Sequence, residues 1–164
     1  MSDTDAHNGI DTDSGARRAV VVSTVIECTP QEVWADVEDI SSHVEWMADA
    51  AAIRFLTEQE SGTGTRFECD TEVGPFRLTD VMEITSWVEA REMGVRHVGL
   101  VEGTGVFTLT ELPGGHTEFR WAEDLSFPWW MGGPIGAFAA RPVLGLIWRR
   151  NLRRLKQRIE QGAA

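Results

Sequence analysis

The sequence predicts an α+β domain in which a curved antiparallel sheet of about seven strands wraps around one long C-terminal helix, with two short helices after the first strand. Three observations carry this. A β-branched run ends in a complete helix-start signature at Thr29-Pro30-Gln31-Glu32. After the S-G-T-G-T turn the chain alternates apolar and polar residues through a run of strands separated by turn signals. The stretch from Phe127 to Ile159 is the only segment long enough for a helix of more than about four turns.

Taken in order, A-V-V-V-S-T-V-I-E from Ala19 is rich in β-branched residues and reads as a strand. Thr29 supplies a capping hydroxyl, Pro30 fits the first helical position, and Glu32 stands three residues after the cap. Together they satisfy the unpaired amides of a helix start. A helix of about ten residues should follow, with Val33, Val37 and Ile40 or Trp34 inward. A second short helical turn spans Asp39 to Glu45. A-A-I-R-F-L-T-E and T-R-F-E-C-D-T-E-V are strands flanking the turn S-G-T-G-T. In the second of them Phe67, Cys69, Thr71 and Val73 share one face, and Arg66, Glu68, Asp70 and Glu72 the other, so one face is wet. Gly74-Pro75 turns the chain into F-R-L-T-D-V-M-E-I-T. A-R-E-M-G-V-R-H-V, G-T-G-V-F-T-L-T-E-L and T-E-F-R-W-A-E-D-L-S-F complete the sheet, the last two joined by the hairpin turn Pro113-Gly114-Gly115-His116.

Such a sheet is apolar on one face, and the long C-terminal stretch is the one element able to cover it. Leu144, Trp148, Leu152, Leu155 and Ile159 form a stripe at spacings of three and four, whereas Arg149, Arg150, Arg153, Lys156 and Arg158 fall mostly off it. Pro142 cannot donate to the carbonyl of Phe138, so a kink or a fresh helix start is expected there. A membrane span over 127–148 is disfavoured by Arg141 within it, at a cost of about 2.5–3.5 kcal/mol.

Composition narrows the function. At 164 residues the chain suits one domain, residues 19–164, preceded by a disordered acidic tail over residues 1–18. Residues 20–140 carry 21 acidic and 6 basic side chains, and residues 141–164 carry 1 acidic and 7 basic. An acidic body argues against nucleic acid as a partner, because phosphate binding needs a basic surface. Two cysteines without a framework and the lack of a signal-peptide pattern point to a reducing cytoplasm. His43, His97 and His116 have no ligand spacing, and the S-G-T-G-T turn has no lysine or following helix, so neither metal nor nucleotide cofactor is expected. Nothing in the sequence assigns an oligomeric state.

Several segments resemble the START-like superfamily, in its polyketide cyclase/dehydrase and lipid-transport-like branch. They are V-I-E-C-T-P-Q-E-V-W-A-D-V-E-D at the first strand and helix, Trp46 after the second short helix, and G-T-G-T-R-F at the glycine turn. G-G-H-T-E-F-R-W at the last hairpin and L-R-R-L-K-Q-R-I-E near the C-terminus complete the likeness, which covers about residues 20–160. The resemblance implies the helix-grip fold and an apolar cavity between sheet and helix, used to hold lipids, isoprenoids, sterols or polyketides.

Glu123 is the leading candidate for chemistry. It lies between Trp121 and Leu125 on the inward face, where desolvation raises a carboxylate's pKa towards that of a working acid or base. The plain alternative is a bulge that turns it to solvent, or pairing with Arg141. Arg141 itself reads as a partner for Glu123 or a ligand carboxylate, or as a rim arginine reaching water. His97 shares the parity of Met93 and Val95, as a proton shuttle or a satisfied core histidine. Asp80 shares the parity of Phe76, Leu78 and Met82, and a bulge is the favoured explanation. Trp46, Phe67, Phe76, Met82, Trp121, Phe127, Trp130 and Phe138 are the candidate ligand-binding residues, some of which belong to the plain core. Trp129-Trp130-Met131-Gly132-Gly133-Pro134 suits a mobile entrance or a static loop.

The function expected from this balance is non-catalytic binding, for carriage or sensing, of a hydrophobic small molecule. The alternative is an aromatase/cyclase or dehydratase-type enzyme that uses Glu123 as acid/base with Arg141 or His97. Transient contact with an anionic membrane surface, through the Trp129-Trp130 segment and the helix arginines, is a third expectation.

Overall fold

A computed structural model describes residues 19–162; the acidic tail expected over residues 1–18 lies outside the described residues. The strands are β1 (Val20–Ile26), β2 (Ala50–Phe55), β3 (Arg66–Val73), β4 (Phe76–Val88), β5 (Glu92–His97), β6 (Glu102–Leu112) and β7 (His116–Ser126). The helices are α1 (Pro30–Val37), α2 (His43–Trp46) and α3 (Gly133–Gly162), with 3-10 turns at Ile40–Ser42 and Trp129–Met131. All seven strands form one antiparallel sheet in the order β1-β7-β6-β5-β4-β3-β2. From β2 to β7 each strand pairs with the next in sequence, and β1 crosses over to pair with β7. This is the α+β helix-grip architecture.

Local chemistry sets the boundaries. At the start of α1 the Thr29 hydroxyl accepts from the Glu32 amide at 3.4 Å, and the Thr29 amide donates to Glu32 Oε2 at 2.8 Å. The reciprocal bonds satisfy two amides that helix geometry leaves unpaired. In β3, Phe67 and Cys69 are buried on the inner face. On the outer face Arg54 of β2 reaches Glu68 at 3.2 Å and Asp70 at 2.6 Å. The period-two pattern therefore separates core from solvent as the pleat requires.

α3 lies against β1, β7, α1 and α2. Trp148, Leu152, Leu155 and Ile159 are buried on it, and Leu144 and Ile147 pack partly buried against the same core. Each such side chain contributes about 1.5–3 kcal/mol when removed from water. Helix α3 continues through Pro142 without a fresh start. Phe138 and Pro142 both sit on its exposed side, where water can serve the carbonyl that proline leaves without a donor. The segment before α3 is a 3-10 turn closed by Gly132 in the left-handed region, at φ 92°. Gly136 is required by close approach, because a Cβ there would meet the Met131 carbonyl oxygen at 2.2 Å. Among the described residues no helix is long and apolar enough to cross a membrane.

Candidate functional site

The sheet and α3 enclose a cavity of about 790 Å³. Its apolar wall comes from Met82 of β4, Trp121 and Leu125 of β7, Phe127 beyond it, and Ala140, Val143, Leu144 and Trp148 of α3. Phe76, Leu100, Val101, Trp130 and Met131 also line it. A smaller pocket of about 80 Å³ shares Cys69, Met82, His97, Trp121 and Glu123 and reaches further under the sheet, between Phe67, Ile84, Met93 and Phe107.

The charged residues lining the larger cavity are Asp49, Arg77, Asp80, His97 and Glu123. Three of them, Asp80, His97 and Glu123, are more than nine-tenths buried. Glu123 faces inward because β7 alternates without a break, pairing Glu123 with Gly105 on β6 and with Val20 on β1. Gly105 makes room for it: a Cβ at 105 would lie 3.4 Å from the Glu123 carboxyl carbon. The Trp121 indole donates to Glu123 Oε2 at 2.9 Å, and Trp121 in turn stacks on Trp148 of α3, with centroids 4.9 Å apart. The gripped helix thereby steadies the side chain that orients the carboxylate.

His97, at the end of β5, brings Nε2 to 2.5 Å from Glu123 Oε1. Nδ1 has no hydrogen-bond partner among the described residues. Burial disfavours a charged ring. The Glu123 carboxylate in contact with it and the Asp80 charge outweigh that loss and hold the His97 pKa above its ordinary value. Asp80 stands opposite Cys69 in an unbroken β3–β4 register, with the β4 bulge only further along, between Ile84 and Ser86. The bulge favoured from sequence is thus absent at this position, and Asp80 points into the cavity. Gly99 admits it, since a Cβ there would stand 2.8 Å from Asp80 Oδ1. Burial raises the Asp80 pKa, although the His97 charge and the Leu100 and Val101 amides pull it back, and Oδ1 has no hydrogen-bond partner among the described residues.

A second polar group adjoins the first. Asn151 of α3, fully buried, donates to Asp49 Oδ1 at 2.6 Å and accepts from the Ala48 amide at 3.0 Å. Burial pushes the Asp49 pKa up despite that bond. The Cys69 thiol, also desolvated, is pushed up to about 11, which leaves it a poor nucleophile.

The structure sorts the residues singled out from sequence. Glu123, His97, Met82, Phe76, Trp121, Phe127 and Trp130 line the large cavity, and Phe67 lines the inner pocket. Trp46 is fully buried core, edge-on to His43 and Trp121, and is not among the residues lining either pocket. Phe138 is 69% exposed on the outer side of α3, with the Arg141 guanidinium 5.4 Å from its ring centre. Glu123 meets His97, which β5 delivers inward, and the Trp121 indole. Asp49 and Asn151 were missed. Asn151 had a signal, a polar residue three positions after Trp148 on the inward stripe. Among the described residues no group of His, Cys, Asp and Glu is arranged to hold a metal ion.

An apolar cavity closed between a curved sheet and a gripped helix, with ionisable groups on one wall, defines a START-like protein. The chain belongs to the polyketide cyclase/dehydrase and lipid transport family, whose sequence profile matches residues 17–160. Similar solved structures include a START superfamily protein from Mycobacterium smegmatis, 13% identical, with a TM-score of 0.72 over 87% of this chain and 97% of that one. The Zhui aromatase/cyclase of a Streptomyces species is 16% identical, with a TM-score of 0.70 over 90% and 96% of the two chains. A conserved protein from Geobacillus kaustophilus is 15% identical, with a TM-score of 0.70 over 87% and 95%. At these identities the likeness is one of fold. No curated protein matches the chain in sequence.

Proposed function

We propose that this protein binds a hydrophobic small molecule, of lipid, isoprenoid or polyketide size, in the cavity between the sheet and α3. The observation that carries the reading is a volume of about 790 Å³ walled largely by apolar side chains, within the range of small-molecule sites. Titration with the neutral fluorophore N-phenyl-1-naphthylamine tests it. One equivalent should bind saturably, and Ala140→Trp, which fills the cavity from α3, should weaken that binding at least ten-fold. Absence of saturable binding by the wild type overturns the reading.

The His97–Glu123 contact favours a second reading, an enzyme of the cyclase or dehydratase kind. Bare carriage has no use for a buried ion pair, whose desolvation is costly. Proton transfer within an oriented substrate does, and a positioned acid or base contributes about 10²–10⁴-fold. If the protein accelerates aromatic cyclisation of a poly-β-ketone, Glu123→Gln should remove about 10²-fold or more of the rate while fluorophore affinity is kept. Equal rates with and without wild-type protein leave carriage or sensing.

Loading from an anionic membrane surface accompanies either reading. It is supported by the exposed apolar residues Trp129, Ile135 and Phe138, close in sequence to the cavity-lining Trp130, and by the arginines that follow on α3.

A further inference from the structure

We propose that the ligand is an amphiphile whose polar end is an uncharged hydroxyl (an alcohol, phenol or enol) seated between Asp80 and His97, and that carboxylate-headed lipids are rejected. The inference rests on the cavity-binding reading above and specifies the chemistry of what is bound.

The polar wall has two open valences. Asp80 and His97 are buried residues on the wall of the same cavity, and their Oδ1 and Nδ1 atoms, closed off from water, lack hydrogen-bond partners among the described residues. They are neighbours on one sheet face: His97 is opposite Met82, and Asp80 is the next inward residue along β4. A buried polar atom without a partner is costly, so a ligand that satisfies both gains what the empty site forfeits. His97 uses Nε2 against Glu123 and offers N–H at Nδ1 when protonated, the state its carboxylate neighbours favour. Asp80 Oδ1 accepts when ionised and can donate when protonated.

A hydroxyl both donates and accepts, so it serves this pair in either state of Asp80. A carbonyl cannot donate, and a hydrocarbon end leaves both atoms open. A carboxylate meets a worse obstacle: Asp49, Asp80 and Glu123 surround the site, and His97, already against Glu123, is the one buried cation among the cavity-lining residues. Arg77 is at the rim, where its side chain is 79% exposed and paired with Glu72.

Competition against N-phenyl-1-naphthylamine at neutral pH tests this with 4-nonylphenol, nonylbenzene and 4-nonylbenzoate, which share a chain and ring. Nonylphenol should displace the fluorophore at a concentration at least ten-fold below either of the others. Asp80→Ala should cut that advantage to less than about three-fold while leaving nonylbenzene unchanged, and Asp80→Asn should improve nonylbenzoate. If all three ligands compete equally, or nonylbenzoate is best, the hydroxyl assignment is wrong although cavity binding stands. If the fluorophore itself does not bind, both fall. Should Asp80→Ala not fold, the wild-type ranking and Asp80→Asn still decide.

Discussion

His97, Glu123 and Asp80 occupy inward positions on three different strands, so no stretch of sequence brings them together; the sheet register does. Their protonation has a consequence for stability. His97 has a folded pKa above the unfolded value of about 6.5, so its contribution is whole below about pH 6.5 and is lost as pH rises through the folded value. Asp80 and Asp49, raised by burial, act in the same direction in a lower window that opens above about pH 3.9. Above about pH 6.5 the wild type should therefore lose stability to urea more steeply than His97→Gln as pH rises, by up to about 1.4 kcal/mol per pH unit for one proton. Parallel pH profiles would show that Glu123 and Asp80 do not hold the extra proton on His97. Glu123 and His97 were legible from strand parity alone. Asp80 had the same parity, but a charge between apolar positions is explained as well by a bulge, and only the cross-strand register decides that. That His97 meets Glu123 depends on the distance between β5 and β7, which no periodicity encodes.

Helix α3 is continuous, but its two ends play different parts. Its C-terminal half is a core element, with Leu152 and Leu155 almost wholly buried and Asn151 tied to Asp49. Its N-terminal half presents cavity wall on one side, through Ala140, and bare apolar surface on the other. Leu155→Ala should cost about 2–5 kcal/mol by urea unfolding, as large-to-small changes in a packed core do. Ile135→Ser, on a side chain 82% exposed, should stay within about 0.5 kcal/mol of wild type. Comparable losses at both sites would mean that the N-terminal half also closes the core. The element order was legible because each boundary has strong local chemistry: the Thr29–Glu32 box, the Gly74-Pro75 turn, the glycines at 114 and 115. Continuity through Pro142 was not, since it depends on whether water reaches the orphaned carbonyl. That is a property of the face α3 turns outward.

For the whole molecule, the question is whether a protein of net charge −11 can meet an anionic bilayer at all. Range decides it. At physiological ionic strength a charge is screened beyond about 8 Å, so the acidic body contributes little at a surface touched by the start of α3. The exposed apolar groups near the start of α3 are Trp129, Ile135 and Phe138, 87%, 82% and 69% exposed, followed along the outer side of α3 by Arg149, Arg150, Arg153 and Arg154. Indole and aliphatic groups favour the headgroup boundary, and each arginine near an anionic leaflet adds about 1 kcal/mol. The protein should therefore sediment with phosphatidylserine-containing vesicles and not with pure phosphatidylcholine, and release as salt is raised. Trp129→Ser with Trp130→Ser should weaken binding at every salt concentration, whereas Arg149→Gln with Arg150→Gln should flatten the salt dependence. Equal recovery with both vesicle types, or none with either, removes membrane loading and leaves the exposed aromatic rim to be explained by ligand capture from solution.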